Sequence, residues 1–139
     1  MSWHEGKLEF NDADGKKRLC KPDHFVIKCP SEHTIEGERF DAELQFVHKQ
    51  FGTKNILVLS ILFQDVGGVD NPFFTEMGLY DYDVDNPDSG KGREVNLNPL
   101  MERLDKTQIY NYSGSVTVPP CTSNVEWVVL SSPSQISAT

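Results

Sequence analysis

The sequence predicts a mainly β fold, a single domain over residues 1–139, and three observations carry that prediction. Apolar and polar residues alternate over 7–10 and 42–48, the period-two signature of a half-buried strand. Residues 55–63 (Asn-Ile-Leu-Val-Leu-Ser-Ile-Leu-Phe) are almost continuously apolar, as a strand buried on both faces is. Clusters of turn-forming residues, such as Asn11, Asp12, Asp14 and Gly15, separate the apolar segments.

Taken in order, Lys7, Leu8, Glu9 and Phe10 form the first strand, closed by the turn chemistry of 11–15. Phe25, Val26 and Ile27 make a short apolar run that ends at Cys29 and Pro30. Within 42–48, Leu44 and Phe46 share one face. Residues 70–80 open with Asp-Asn-Pro and hold a short helix through Phe73, Phe74, Met77 and Leu79. Residues 81–94 read as an acidic, glycine-rich loop, and 97–104 as about one helical turn. Pro119 and Pro120 cannot donate to a β ladder, so the chain leaves its sheet there. Val125 to Leu130, with Trp127, is a last buried strand.

Composition narrows the function. Thirteen Lys and Arg against 21 Asp and Glu leave a formal charge of −8, which repels phosphate backbones and anionic lipid and argues against nucleic-acid partners. The longest apolar run, 56–63, is interrupted by Ser60 and falls far short of the ~20 residues of a spanning helix, so no direct membrane span is expected. The N-terminus shows neither a basic nor an apolar leader region, so no secretory signal is expected. Three cysteines with no CxxC do not describe a disulfide framework. That favours a reducing, intracellular compartment, an organelle complex included.

Two segments carry a resemblance. Pro30-Ser31-Glu32-His33-Thr34 is followed by Ala42-Glu43-Leu44-Gln45-Phe46-Val47-His48, and later comes Tyr112-Ser113-Gly114-Ser115-Val116-Thr117-Val118-Pro119-Pro120-Cys121-Thr122 with Val125-Glu126-Trp127. In order and spacing they resemble the α-type carbonic anhydrases, from about Gly6 to Ile136. The resemblance implies a carbonic-anhydrase-like twisted, mostly antiparallel sheet with short helices, in a version truncated at both ends. The family hydrates carbon dioxide with zinc-bound hydroxide on three His ligands, the worked case of a metal that generates a nucleophile at neutral pH.

Carried over residue by residue, the positions matching those ligands are Val26, Lys28 and Gln45, and no His-x-His occurs anywhere in the chain. Valine binds no metal, lysine brings a positive charge, and glutamine is a poor zinc ligand. The resemblance therefore implies no catalytic residue, no metal and no cofactor. Glu32 and Thr117 match the family's hydrogen-bonded Glu–Thr pair. Glu43 matches the carboxylate that holds the third His. Val47, Val58, Val116 and Val118 fall near the positions of the apolar pocket, and Trp127 matches a core tryptophan. The Lys28 amine is expected to reach toward Glu32 as a buried pair, in the role of the lost cation.

Remaining candidates are weak. His33 and His48 are expected to make structural hydrogen bonds. Cys20, His24 and Cys29 lack the spacing of a zinc site. Cys121 is expected as a free thiol. Asp81, Asp83 and Asp85 begin like a calcium loop, but Asn86 and Gly92 stand where that loop needs Gly and Glu.

The expected function is that of a catalytically inactive carbonic-anhydrase-related protein, a structural or accessory subunit of a larger assembly whose partners are other protein chains. The alternatives are a carbonic anhydrase with a rebuilt or shared metal site, and a small-molecule or glycan-binding module using the old pocket. Uncovered strand edges are expected where family segments are missing.

Overall fold

The computed structural model describes residues 1–4, 6–12, 14–68, 70–78, 83, 85, 86 and 94–136. Its elements are β1 (Ser2–His4), β2 (Lys7–Asn11), β3 (Lys17–Lys28), β4 (Thr34–Ile35), β5 (Glu38–Arg39), β6 (Ala42–Gln50), β7 (Ile56–Asp65), α1 (Pro72–Met77), α2 (Asn98–Arg103), β8 (Ile109–Gly114), β9 (Val125–Leu130) and β10 (Ser134–Ile136). One sheet runs β1-β2-β3-β6-β7-β9-β8, and β4 and β5 form a separate small ribbon. β7 pairs in parallel with β9 and, further along, with β10. The other described pairs in this sheet are antiparallel, so it is mixed and mostly antiparallel, as expected.

β7 shows why 55–63 reads as an unbroken apolar run. Leu57, Leu59, Ile61 and Phe63 point to one face and join the main core with Leu44, Phe46, Val128 and Leu130. Val58 and Leu62 point to the other face and join two smaller clusters. Both sides of the strand are thus dry, and Ser60, also fully buried, is the one polar residue between Leu57 and Phe63.

The main-core face is covered by the helices, through Phe73 and Phe74 of α1 and Leu100 and Met101 of α2. Asn71 starts α1: its side chain accepts from Phe73 N–H at 3.1 Å, and its amide donates to the Gln135 carbonyl at 2.9 Å, tying helix to β10. Pro72 suits the first turn, and Gly78, at φ 74°, ends the helix in the left-handed region. Cutting one fully buried side chain of this core, such as Ile61, to alanine costs about 2–5 kcal/mol.

The strand over 7–10 is not the first nor 125–130 the last, since β1 and β10 flank them and β4 and β5 add a ribbon the sequence reading did not name, and three further elements have other bounds than expected. β3 starts at Lys17, not near Phe25, because its first half is charged and mostly exposed and shows no apolar alternation. β8 ends at Gly114, before the two prolines. The Val116 N–H turns back to the Thr122 carbonyl at 3.1 Å, so the chain leaves the sheet earlier than the prolines require. Helix α1 is shorter than 70–80. Leu79, Asp81 and most of the acidic loop over 81–94 lie outside the described residues. No helix among the described residues is long and apolar enough to cross a membrane. β8 forms one edge of the sheet and carries Tyr110 and Tyr112, 52% and 44% exposed.

Candidate functional site

A register shift places the site. On β3, Cys20 pairs with Gln50 and Pro22 with His48, on the core side of the sheet. The ladder then shifts between Pro22 and His24, where proline offers no N–H. Beyond it His24, Val26 and Lys28 pair with Val47, Gln45 and Glu43, on the face away from the helices. Directly opposed residues share a face, so Val26, Lys28 and Gln45 meet there as the motifs require.

Two carboxylates organise this face. Glu43 is fully buried. Its Oε2 accepts from the Glu32 and His33 backbone N–H groups at 2.8 and 2.9 Å. Its Oε1 accepts from Gln45 Nε2 at 2.9 Å and from the Ser60 hydroxyl at 2.8 Å, and lies 2.7 Å from His33 Nδ1. Glu32 Oε2 accepts from Gln45 Nε2 at 2.9 Å and from the Thr117 hydroxyl at 2.8 Å. Glu32 Oε1 lies 3.2 Å from Lys28 Nζ. The two acids are therefore joined through one amide. The carboxylate accepts the Nδ1 proton of His33, and the other ring nitrogen, Nε2, hydrogen-bonds with the Tyr112 hydroxyl at 2.5 Å. The His33 and Tyr112 rings both lean on Trp127, the imidazole edge-on at 4.9 Å and the phenol stacked at 6.2 Å.

The electrostatics follow from these contacts. Burial alone would raise the Glu43 pKa, but the hydrogen bonds from His33 and Gln45 outweigh it and bring the value down to about 2. Glu32 behaves alike: partial burial opposes ionisation, and the bonds from Gln45, Thr117 and Lys28 win, so its pKa lies below the usual carboxylate range. Burial raises the Tyr112 pKa, and the charges of Glu43 and Glu32 add to the effect, so the phenol keeps its proton.

An apolar wall stands beside the polar network. Val58 and Trp127 are buried with Val125, and Val47 and Val116 pack against them. Val26 is 38% exposed on the same face. Val118, at 53%, joins none of the described apolar clusters. His33 and His48 make hydrogen bonds as expected, His48 Nδ1 to the Phe46 carbonyl at 3.0 Å. Sequence reasoning missed Ser60 and Tyr112. Ser60 had a signal, as the lone hydroxyl in an apolar run. Tyr112 had only its place in the motif. Lys28 meets Glu32, but its side chain is 23% exposed and that of Glu32 33%, so the pair sits at the rim and not in the interior.

The residues on this face do not fit a zinc ion. Val26 has no donor atom, Lys28 offers a cation, and Gln45 spends its amide N–H groups on the two carboxylates, leaving a single neutral oxygen. Among the described residues no group of three or more His, Cys, Asp or Glu is placed to hold a metal. Cys20 and His24 face opposite sides of the sheet because of the register shift. Burial pushes the Cys20 thiol up to about 11, far from the thiolate a metal needs. Cys29 and Cys121 are exposed free thiols. Of the three aspartates of the calcium-like segment, Asp83 and Asp85 are described, and Asp83 Oδ1 accepts from the Asp85 N–H at 2.9 Å.

The description "eukaryotic-type carbonic anhydrase" matches residues 24–139. Dioscorin DB3S of Dioscorea polystachya is 37% identical over 138 residues, which covers 93% of this chain and 48% of that protein. Among solved structures, the α-carbonic anhydrase of Thermovibrio ammonificans in complex with sulfanilamide aligns with a TM-score of 0.70 at 31% identity, over 90% of this chain and 52% of that one. Dioscorin complexed with ascorbate aligns with a TM-score of 0.67 at 30% identity, over 88% of this chain and 49% of that one. This chain spans about half the length of the relatives it matches. With its sheet order, its Glu32–Thr117 and Glu43–Gln45 contacts and these alignments together, the chain belongs to the eukaryotic-type α-carbonic anhydrase family.

Proposed function

We propose that this chain is a single-domain, non-catalytic carbonic-anhydrase-related protein that serves as a structural or accessory subunit of a larger protein assembly. The observation that carries the reading is the Val26, Lys28 and Gln45 constellation. Carbon dioxide hydration at neutral pH needs a Lewis acid to generate hydroxide. Here the matching positions supply one neutral oxygen and a cation that is already paired with Glu32. Glu32 and Thr117 then act as hydrogen bonds that tie two loops together and Glu43 as the anchor of one of them on β6, with Val47, Val58, Val116, Val118 and Trp127 as remnants of the pocket wall. The subunit role is supported by the open edge: β8 carries no charged residue, and its two tyrosines are about half exposed. The test is carbon dioxide hydration by the purified chain together with its zinc content. Rates at the uncatalysed level and no stoichiometric zinc are expected. Hydration well above background sinks the reading.

One observation favours a second reading, in which the face binds a small molecule. Val26 stands exposed beside the polar network, and the dioscorin structure aligned above holds ascorbate. Ligand-induced shifts confined to Val26, Val47 and Thr117 in NMR spectra would support it.

A further inference from the structure

Resting on the non-catalytic reading, we propose that the Lys28 ammonium is a built-in cation that excludes divalent metal from this face. The argument begins with charge. Glu32 and Glu43 bring two carboxylates to one side of the sheet, joined through the Gln45 amide. Both have pKa values below the ordinary range and are ionised at neutral pH. Ionised carboxylates on one face favour a cation beside them, and of the two only Glu32 has an oxygen near the surface. Lys28 stands on the same face, cross-strand from Glu43 and two positions from Val26, and its ammonium lies 3.2 Å from the outer oxygen of Glu32.

That contact occupies the Glu32 oxygen that the network leaves open to a cation. Glu32 Oε2 already takes two hydrogen bonds, from Gln45 and Thr117, so Oε1 is the side on which a cation can sit. Lysine serves as that cation without needing a ligand set, and it repels a dication brought near it. The chain thus keeps a charge-balanced Glu32 whose cation opposes a dication over and above the missing ligands. Exclusion is the property of Lys28, separate from the missing histidines.

The experiment separates those two causes. Zinc and cobalt(II) are titrated into the full chain and its variants by calorimetry, with the cobalt visible spectrum as a second readout. Val26→His/Gln45→His restores two ligands and keeps Lys28; it is expected to bind no more than weakly. Adding Lys28→Met to that pair is expected to tighten binding by about a hundredfold or more, since the repelling charge is gone. Lys28→Gln, which keeps an N–H2 group for Glu32, carries the same expectation and covers the case in which the methionine variant does not fold. Lys28→Arg, which keeps the charge, is expected to leave binding as weak as with lysine. The proposal is overturned if the two-histidine chain binds zinc equally well with Lys, Met or Gln at position 28. Failure of the non-catalytic reading shows separately, as carbon dioxide hydration by the unaltered chain.

Discussion

Glu43 Oε1 and His33 Nδ1 lie 2.7 Å apart, and through this contact the buried carboxylate fixes the loop after β3 onto strand β6. The same carboxylate also accepts from the Glu32 and His33 backbone N–H groups. One side chain therefore satisfies two backbone donors, an imidazole, an amide and a hydroxyl. A fully buried charge is tolerable only when so many donors surround it.

The first prediction follows from that contact. Glu43 has a folded pKa of about 2 against an ordinary 4.5, so its stabilising contribution is full above pH 4.5 and is lost as pH falls through 2. A shift of that size corresponds to about 3 kcal/mol. Denaturant titrations over this range should show stability falling with acid. Glu43→Gln should flatten that slope and, at neutral pH, cost about 3 kcal/mol or more by leaving the donors mismatched.

A second acid-sensitive group sits on the opposite face. Burial of His48 lowers its pKa to about 4 from 6.5, so it is neutral when folded at neutral pH. Unfolding lets it take a proton between pH 6.5 and 4, and stability falls by roughly 3 kcal/mol across that window as pH drops. NMR titration of the imidazole should show no protonation above about pH 5. A midpoint near 6.5 would contradict the burial.

Lys28→Met should destabilise the chain by only about 1–2 kcal/mol, because the pair is partly solvated and not sealed inside. Urea unfolding should show a lower midpoint with an unchanged slope. A loss of about 4 kcal/mol would mean a drier pair than the geometry gives.

Gly114→Ala tests the aromatic stack. A Cβ there would stand 3.2 Å from Tyr112 Cε2 and 3.3 Å from Trp127 Cδ1. Crowding of this kind costs about 1–3 kcal/mol. It should also push Tyr112 off Trp127 and change tryptophan fluorescence, whereas an unchanged emission spectrum would show the stack adapting freely.

Tyr110→Lys tests the open edge. The side chain is 52% exposed, so folding stability should change by no more than about 0.5 kcal/mol. Association with partner chains, read by sedimentation and pull-down, should weaken, because a charge on an edge strand opposes strand addition. Undiminished association would place the interface elsewhere.

Much of this molecule was legible from local pattern. The strands β6, β7 and β9 and the two short helices each announced themselves through apolar content, alternation or a proline-led start, because burial leaves a trace in composition and spacing; β6, expected to be half-buried, is closed on both faces, with Glu43 and Gln45 buried as well as Leu44 and Phe46. The matching motifs named Glu32, Thr117, Glu43 and Gln45, and the absence of His-x-His is a property of the sequence alone. Other features depended on contacts between distant residues. The first half of β3 has no apolar rhythm, since it is held by pairing with β2 and β6 and not by burial. The shift beside Pro22, which sends Cys20 and His24 to opposite faces, exists only in the register of two strands. Ser60 and Tyr112 join the network from β7 and β8, and Lys28 turned out to be at the rim. A side chain's partner and its exposure are set by what the folded chain brings alongside it, and no local pattern records that.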